Sequence, residues 1–368
     1  MGFSEADWLA AVEALLPEIH EVDRNAVQVW FRFYPLGLKR YLDGAEDRDE
    51  AAKGLALQGE FDLKNQVDMS HHFLYGHRFW PTVKRKIEKL SESRPVGTSA
   101  GGPFVDGDTR SADWPPAHAG GSDTAGLIDT IKAVACEAAR KLGVERNLVN
   151  AIAAVGLMTL NQVGYEAFAA TADAGGDARV PGKKDAKSPD KIVVERGKDD
   201  SQGLFGFLKT IDKKFSVNFA ALTHSGRFPI ITDEEIVTAS QKDHSQNWQE
   251  KDPRCWDGPV PIECTSASCG TCWIGVLGGQ EKLTPVQRRE RRQMKVFGYN
   301  QPDDEKPLLR LACQARASGN VTIVIPPWNA VFGKKVYGNV EEIELEPVTT
   351  SAKHLRETIA SATSNSGE

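Results

Sequence analysis

Three cysteines within nine residues, Cys264-Thr-Ser-Ala-Ser-Cys269-Gly-Thr-Cys272, constrain this chain more than any other feature. Their spacing is C-x4-C-x2-C, and forty residues then separate Cys272 from Cys313. The residues between them, at 265–268 and 270–271, are all small. A loop of this kind can wrap tightly and bring its backbone N–H groups up to the sulfurs. Six cysteines in 368 residues do not make a disulfide scaffold, and five of them lie between Cys255 and Cys313. In an intracellular protein such crowding points to metal or redox chemistry.

That setting is what the rest of the sequence suggests. The start, MGFSEADW, has neither a basic n-region nor an apolar h-region, so no secretory signal is expected. The most apolar stretch, Ala151 to Leu160, is followed at once by Asn161 and Gln162. It is too short to span a bilayer and reads as a buried helix. Hydrophobic residues at 40% and charged residues at 26% are ordinary for a soluble globular chain. The net charge of −6 argues against general nucleic-acid binding. The expectation is a cytoplasmic protein with no membrane span.

The cysteine triplet has the spacing of plant-type [2Fe–2S] centres. Each iron needs two thiolates at tetrahedral angles. A short loop can deliver three, and the fourth arrives from a separate element. Cys264, Cys269, Cys272 and Cys313 are the expected ligands, and backbone N–H groups near the sulfurs would stabilise an added electron. Four cysteines also suit Zn²⁺. Zinc ribbons usually bring two matched C-x2-C knuckles, whereas the second half here is one cysteine. Cys255 reads as a loop cysteine, its sharper alternative being a spare thiol, and Cys136 as core packing.

Along the chain, residues 1–175 read as a helical domain. Ser4 and Asp7 can form a capping box, and Trp8, Val12, Leu15, Leu16 and Ile19 recur at helical spacing, with a bend possible at Pro17. Residues 92–123 turn to Gly, Pro, Ser and Asp and read as a long loop. Leu127, Ile131, Val134, Ala138 and Leu142 share a helical face closed by Gly143, and Leu148 through Phe168 continues as another apolar helix. Residues 176–210 read as a linker. Thereafter the period changes to two. Phe215, Val217 and Phe219 mark a strand, His224-Ser225-Gly226 a turn, and Phe228 to Ile231 the return of a hairpin. Thr232 and Glu235 suggest a capped short helix, Trp273 to Leu277 a strand, Thr284-Pro285-Val286-Gln287 a helix start, and Val321 to Ile325 a strand. Residues 331–368 form a C-terminal extension whose end, from Ser361, is expected to be disordered.

Over residues 213–327 the hairpin, the short helix, ECTSASCGTCWIGVLGG and RLACQARASGNVTIVIP resemble the ferredoxin-like [2Fe–2S] proteins of β-grasp fold. The triplet is similar to the plant-type branch, whereas RLACQ around Cys313 looks more like the adrenodoxin branch. Trp248 to Pro261 reads as an insertion before the cysteine loop. The resemblance implies an α+β chain, mainly helical at its N-terminus and then β-grasp. It implies one-electron transfer by a ferredoxin-type carrier between a reductase donor and an acceptor oxidoreductase, with no catalytic residues of its own. The alternative is a fixed electron-transfer subunit of a multi-subunit oxidoreductase, docked through the helical region. A redox sensor ranks third.

Other features carry less. His71, His72 and His77 invite a metal reading, but His72 and His77 are five apart, not the three or four that share a helical face. With Phe73, Leu74, Tyr75, Phe79 and Trp80 around them they read as an aromatic packing or docking surface. Gly176 to Lys183 falls short of a phosphate loop, and no G-x-G-x-x-G follows a strand to mark a nucleotide domain. Arg288, Arg289, Arg291, Arg292 and Lys295 make a basic helix, read as a solvated face and alternatively as a steering patch for an acidic partner.

Overall fold

The structure is a computed structural model that describes residues 3–34, 41–54, 71–92, 124–171, 187–197, 213–296 and 305–327. It is mixed α and β, helical towards the N-terminus, with a mixed sheet afterwards. The chain divides into two compact units, Met1–Lys39 with Asp62–Val193, and Arg40–Phe61 with Val194–Glu368. The expected loop at 92–123 (beyond its first residue), the phosphate-loop near miss and the extension at 331–368 lie outside the described residues. Among the described residues no helix is long and apolar enough to cross a membrane.

The first unit is built round one helix. α1 (Glu5–Leu15) starts on the expected Ser4–Asp7 capping box and ends where Pro17 forces a 3₁₀ turn, Leu16–Glu18. α2 (Glu21–Phe33), α3 (Trp80–Glu92) and α4 (Thr124–Leu142) follow. α5 (Asn147–Val163) buries every residue from Val149 to Leu160. A helix that is apolar all round has to be surrounded, and α5 packs against the other four. Gly164, at φ 78, ends it, so the expected run to Phe168 is two helices, with α6 (Tyr165–Ala169) turning back. Two buried polar groups of α5 are bonded to backbone: Asn150 Nδ2 donates to Glu18 O (2.7 Å) and Thr159 Oγ1 to Val155 O (2.8 Å). Cys136 corrects the sequence reading. It lies on the outer face of α4 and is exposed, two residues past the buried Val134.

A helix, α7 (Pro189–Gly197), forms inside the segment expected to be a linker. Ser188 Oγ accepts the Lys191 N–H (3.3 Å), and Pro189 takes the first helical position. None of its residues is buried, which is why no hydrophobic stripe announced it.

The segment before α3 is pinned by a buried carboxylate. Asp23, on α2, is fully buried and accepts the backbone N–H groups of Tyr75 (2.6 Å) and Gly76 (2.8 Å). A Cβ at Gly76 would meet Ile152 Cβ at 3.1 Å, so glycine lets the turn lie against α5. Residues His71–Phe73 and Tyr75–Phe79 are 3₁₀ turns hinged at the extended Leu74. The five-residue separation of His72 and His77 therefore does not keep them apart. Their ring centroids are 4.0 Å from one another, and His71 lies 4.9 Å from His77.

In the second unit β1 (Lys214–Ala220) and β2 (Ser225–Ile231) form the expected hairpin, with Phe215, Val217 and Phe219 buried. The five-stranded sheet has the order β2-β1-β7-β4-β5, with β4 (Trp273–Gly278), β5 (Leu309–Leu311) and β7 (Val321–Val324). β1 and β7 are parallel and the remaining neighbours antiparallel. β3 (Glu234–Glu235) and β6 (Arg316–Ala317) make a separate two-stranded ladder. Glu235 thus serves a strand before α8 (Ile236–Ser240), whose N-cap has no side-chain bond, and the expected Thr232 capping box does not form. Thr284 likewise caps nothing. Its Oγ1 accepts the Arg316 N–H (3.2 Å), and the helix, α10 (Arg288–Val296), begins four residues later.

Residues 248–261, read above as an insertion, are packed into the unit. α9 (Trp248–Lys251) sets Trp248 against Phe219 and His224, and its Nε1 donates to Asp243 O (2.8 Å). Arg254 pairs with Asp252 (2.6 Å) and reaches Pro326 O (2.8 Å), and Ser240 Oγ accepts the Val260 N–H (2.9 Å).

Candidate metal centre

The four expected ligands come together from two places. Cys264, Cys269 and Cys272 lie on the loop that runs into β4. Cys313 lies in the turn that follows β5. β4 and β5 pair with Trp273 opposite Leu311, so the residue before one strand meets the residues after the other. The Ala312 N–H donates to Cys272 O at 2.9 Å, which sets Cys313 beside Cys272. The first residues of α8 hold that turn from the other side: Ile236 N–H donates to Ala315 O (3.0 Å) and Val237 N–H to Ala312 O (3.2 Å).

The sulfurs meet in pairs. Cys264 and Cys269 are 3.1 Å apart, and Cys272 is hydrogen-bonded through its thiol to Cys313. Cys264, Cys272 and Cys313 are buried, and Cys269 is half-buried. The thiol–thiol bond between Cys264 and Cys269 acts on Cys264 first, and backbone N–H groups of Ser266, Cys269 and Ser268 reach the same sulfur. Against the opposing effect of burial, together they draw Cys264 down to about 5. Cys269 is correspondingly pushed up by its bond to Cys264, and so is Cys272, by its bond to Cys313 and by full burial. The loop geometry explains the N–H cluster. Ala267 (φ 60) and Gly270 (φ 72) both adopt left-handed conformations, which turn successive N–H groups to one side and make a concave nest for negative charge. Glycine adopts this conformation freely. An alanine does so at a cost of about 1–2 kcal/mol, supplied by the surrounding loop.

Two supporting residues escape motif reasoning. Gln314 Nε2 donates to Thr265 O (3.2 Å) and to Cys313 O (2.8 Å), and lies 3.6 Å from Cys313 Sγ, so it ties the fourth cysteine to the loop carrying the other three. Arg310, three residues before Cys313, is 1% exposed and forms a two-pronged pair with the fully buried Glu290 of α10, both bonds at 2.9 Å. Glu290 also accepts the Leu311 N–H (2.9 Å), and Arg310 donates to Thr284 O (2.8 Å). The basic run is therefore the outer face of a helix whose inner face clamps β5. Its one signal in the sequence is the lone acid at position 290 among arginines. Cys255 is fully buried and donates to Pro259 O (3.3 Å), and burial, with Asp252 nearby, pushes its thiol up. It is an inert packed cysteine.

The donor set fits an iron–sulfur group. Four thiols in two pairs, three of them buried, lie on or beside a loop whose amides converge on Cys264. No family model matches this chain, and no curated protein and no solved structure matches it either.

Proposed function

We propose that Cys264, Cys269, Cys272 and Cys313 hold a [2Fe–2S] cluster and that the chain is a ferredoxin-type carrier of single electrons between protein partners. The observation that carries the reading is the pairing of the sulfurs, Cys264 with Cys269 and Cys272 with Cys313. A two-iron group asks for two thiolates on each iron. One tetrahedral zinc would ask for all four sulfurs within about 3.8 Å of one another, from Zn–S bonds of about 2.3 Å, and metal content separates the two. When bound, the cluster supplies a one-electron redox couple.

The protein's own groups do the remainder. The amides of Ser266, Ser268 and Cys269 stabilise negative charge at Cys264, the element ends around Ala312 and Gln314 hold Cys313 in register, and the half-buried Cys269 marks the edge nearest solvent. The sheet order supports a β-grasp reading. A hairpin, its first strand parallel to the last strand, and an antiparallel pair beyond are what that fold requires.

The test is low-temperature EPR on anaerobically purified protein before and after dithionite, with Cys313→Ser alongside. A silent oxidised form and an S = 1/2 signal on reduction, with average g below the free-electron value and altered in the variant, is the expected result. No signal, together with stoichiometric zinc bound through sulfur, would sink the proposal.

A fixed subunit of a larger oxidoreductase is the second reading. It is favoured by the separate helical unit with its own buried core, which a diffusing carrier does not need. Recovery of the chain in a stable complex from its native host would distinguish the two.

A further inference from the structure

We propose that His71, His72 and His77 form a second, independent metal site, a three-imidazole site for a late first-row divalent cation such as Zn²⁺. One ring nitrogen of each histidine lies within 4.8 Å of those of the others. A tetrahedral Zn²⁺ with Zn–N bonds of about 2.0–2.1 Å needs nitrogens about 3.3 Å apart, so small ring rotations close the set. The ring centroids stand 4.0, 4.9 and 5.5 Å apart, close to the spacing of about 5 Å that three imidazoles have round one ion of that size.

The backbone makes the arrangement, and it is held firmly. Leu74 N–H donates to His71 O (3.0 Å) and His77 N–H to Leu74 O (3.2 Å), two tight turns in succession that fold His77 back onto its neighbours. The buried Asp23 carboxylate fixes the peptide units of Tyr75 and Gly76 between them. A second observation points to a ligand. In an imidazole both ring nitrogens are hydrogen-bonding groups, yet Nδ1 of His77 is sealed from solvent and hydrogen-bonds to nothing in the structure. The protein's own groups leave part of that ring's bonding capacity unused.

Imidazole donors select Zn, Cu, Ni and Fe over Mg or Ca, which take oxygen. The surroundings suit a closed inner side and an open outer one. His71 is buried against Trp80, with ring centroids 4.3 Å apart, whereas His72 is exposed. Three protein ligands with a free position facing solvent is the arrangement in which zinc keeps a water or an exchangeable anion.

The experiment adds ZnCl₂ to the purified iron-loaded protein, removes the excess, and reads zinc and iron per chain together with the zinc K-edge EXAFS. About one zinc per chain is expected, with nitrogen or oxygen neighbours at about 2.0–2.1 Å and no sulfur shell at about 2.3 Å. His72→Ala removes an exposed ring and leaves the packed ones in place. It should weaken zinc binding by more than about 100-fold, beyond the cost of losing an outer-shell partner. Zinc seen only with sulfur neighbours, no zinc above the buffer level, or equal retention by His72→Ala overturns the site. Iron is counted on the same sample, so failure of the cysteine centre and failure of the histidine site are read separately.

Discussion

Arg310 can be removed without touching a cysteine, and the outcome measures how far the centre depends on the element beneath it. In Arg310→Met the Glu290 carboxylate loses two of its three hydrogen bonds and its counter-charge, keeping only the Leu311 N–H, while fully buried. Breaking a buried pair from one side costs about 3–5 kcal/mol, because the remaining charge cannot reach water. At about 1.4 kcal/mol per tenfold, this is roughly two to three and a half powers of ten in the opening equilibrium of the sheet. Hydrogen exchange followed by mass spectrometry on peptides covering 273–278 and 309–324 reads that directly. The double variant Arg310→Met/Glu290→Leu removes both charges and should recover most of the loss. If the single variant accelerates exchange less than tenfold, or the double variant is no better than the single, the clamp does not hold β5 as argued.

Gly258 sits at φ 114 with its virtual Cβ 2.0 Å from Ser240 O, so Gly258→Ala should cost at least about 3 kcal/mol in urea denaturation, by collision with backbone that cannot yield. At Ala267, replacement by glycine relieves about 1–2 kcal/mol of left-handed strain and forfeits about 0.8 kcal/mol of methyl burial, a near balance. Ala267→Val should distort the nest and shorten the half-life of the proposed cluster's visible absorption under air, while Ala267→Gly leaves it within about twofold. His224 has its pKa lowered, first by burial, against the opposing pull of the Pro259 carbonyl and Asp252. The unfolded chain therefore binds the extra proton more readily, and stability falls as pH drops below the ordinary imidazole value of about 6.5. His224→Gln should flatten urea midpoints measured between about pH 6.5 and 5.

The elements that the sequence announced are those whose signal is local. Alternation at Phe215, Val217 and Phe219, the Ser4–Asp7 box and the stop at Gly143 each involve neighbours within a few residues, and each is found. What stayed hidden depends on partners far along the chain. Thr284 and Glu235 have the chemistry of caps, but β6 competes for both and wins. α7 has a cap and no apolar face, and Cys136 falls one step round the helix from the buried stripe. The nearness of Cys264 to Cys269 and of Cys272 to Cys313 was legible because both the spacing and the β4–β5 pairing favour it. Gln314 and the Glu290–Arg310 pair were not, since nothing in the spacing links position 290 to 310, or 314 to 265, until β5 is laid down. The closeness of the histidine rings was not legible for a definite reason: the segment is not a helix but two tight turns about Leu74.

The pairing of β1 with β7 has a kinetic side. Val217 pairs with Val321, 104 positions further along the chain, whereas Trp273 and Leu311, which flank the thiols, are 38 positions apart. Loop closure is entropically dearer for the longer span, and non-local parallel pairing is slow. During synthesis the β4–β5 ladder can therefore gather Cys272 and Cys313 while the first strand still waits for its neighbour. All four thiols exist on the nascent chain before the strand that completes the sheet has been made. Metal acquired at that stage would be held by a partly built fold, and closure of the final ladder would then fix it in place.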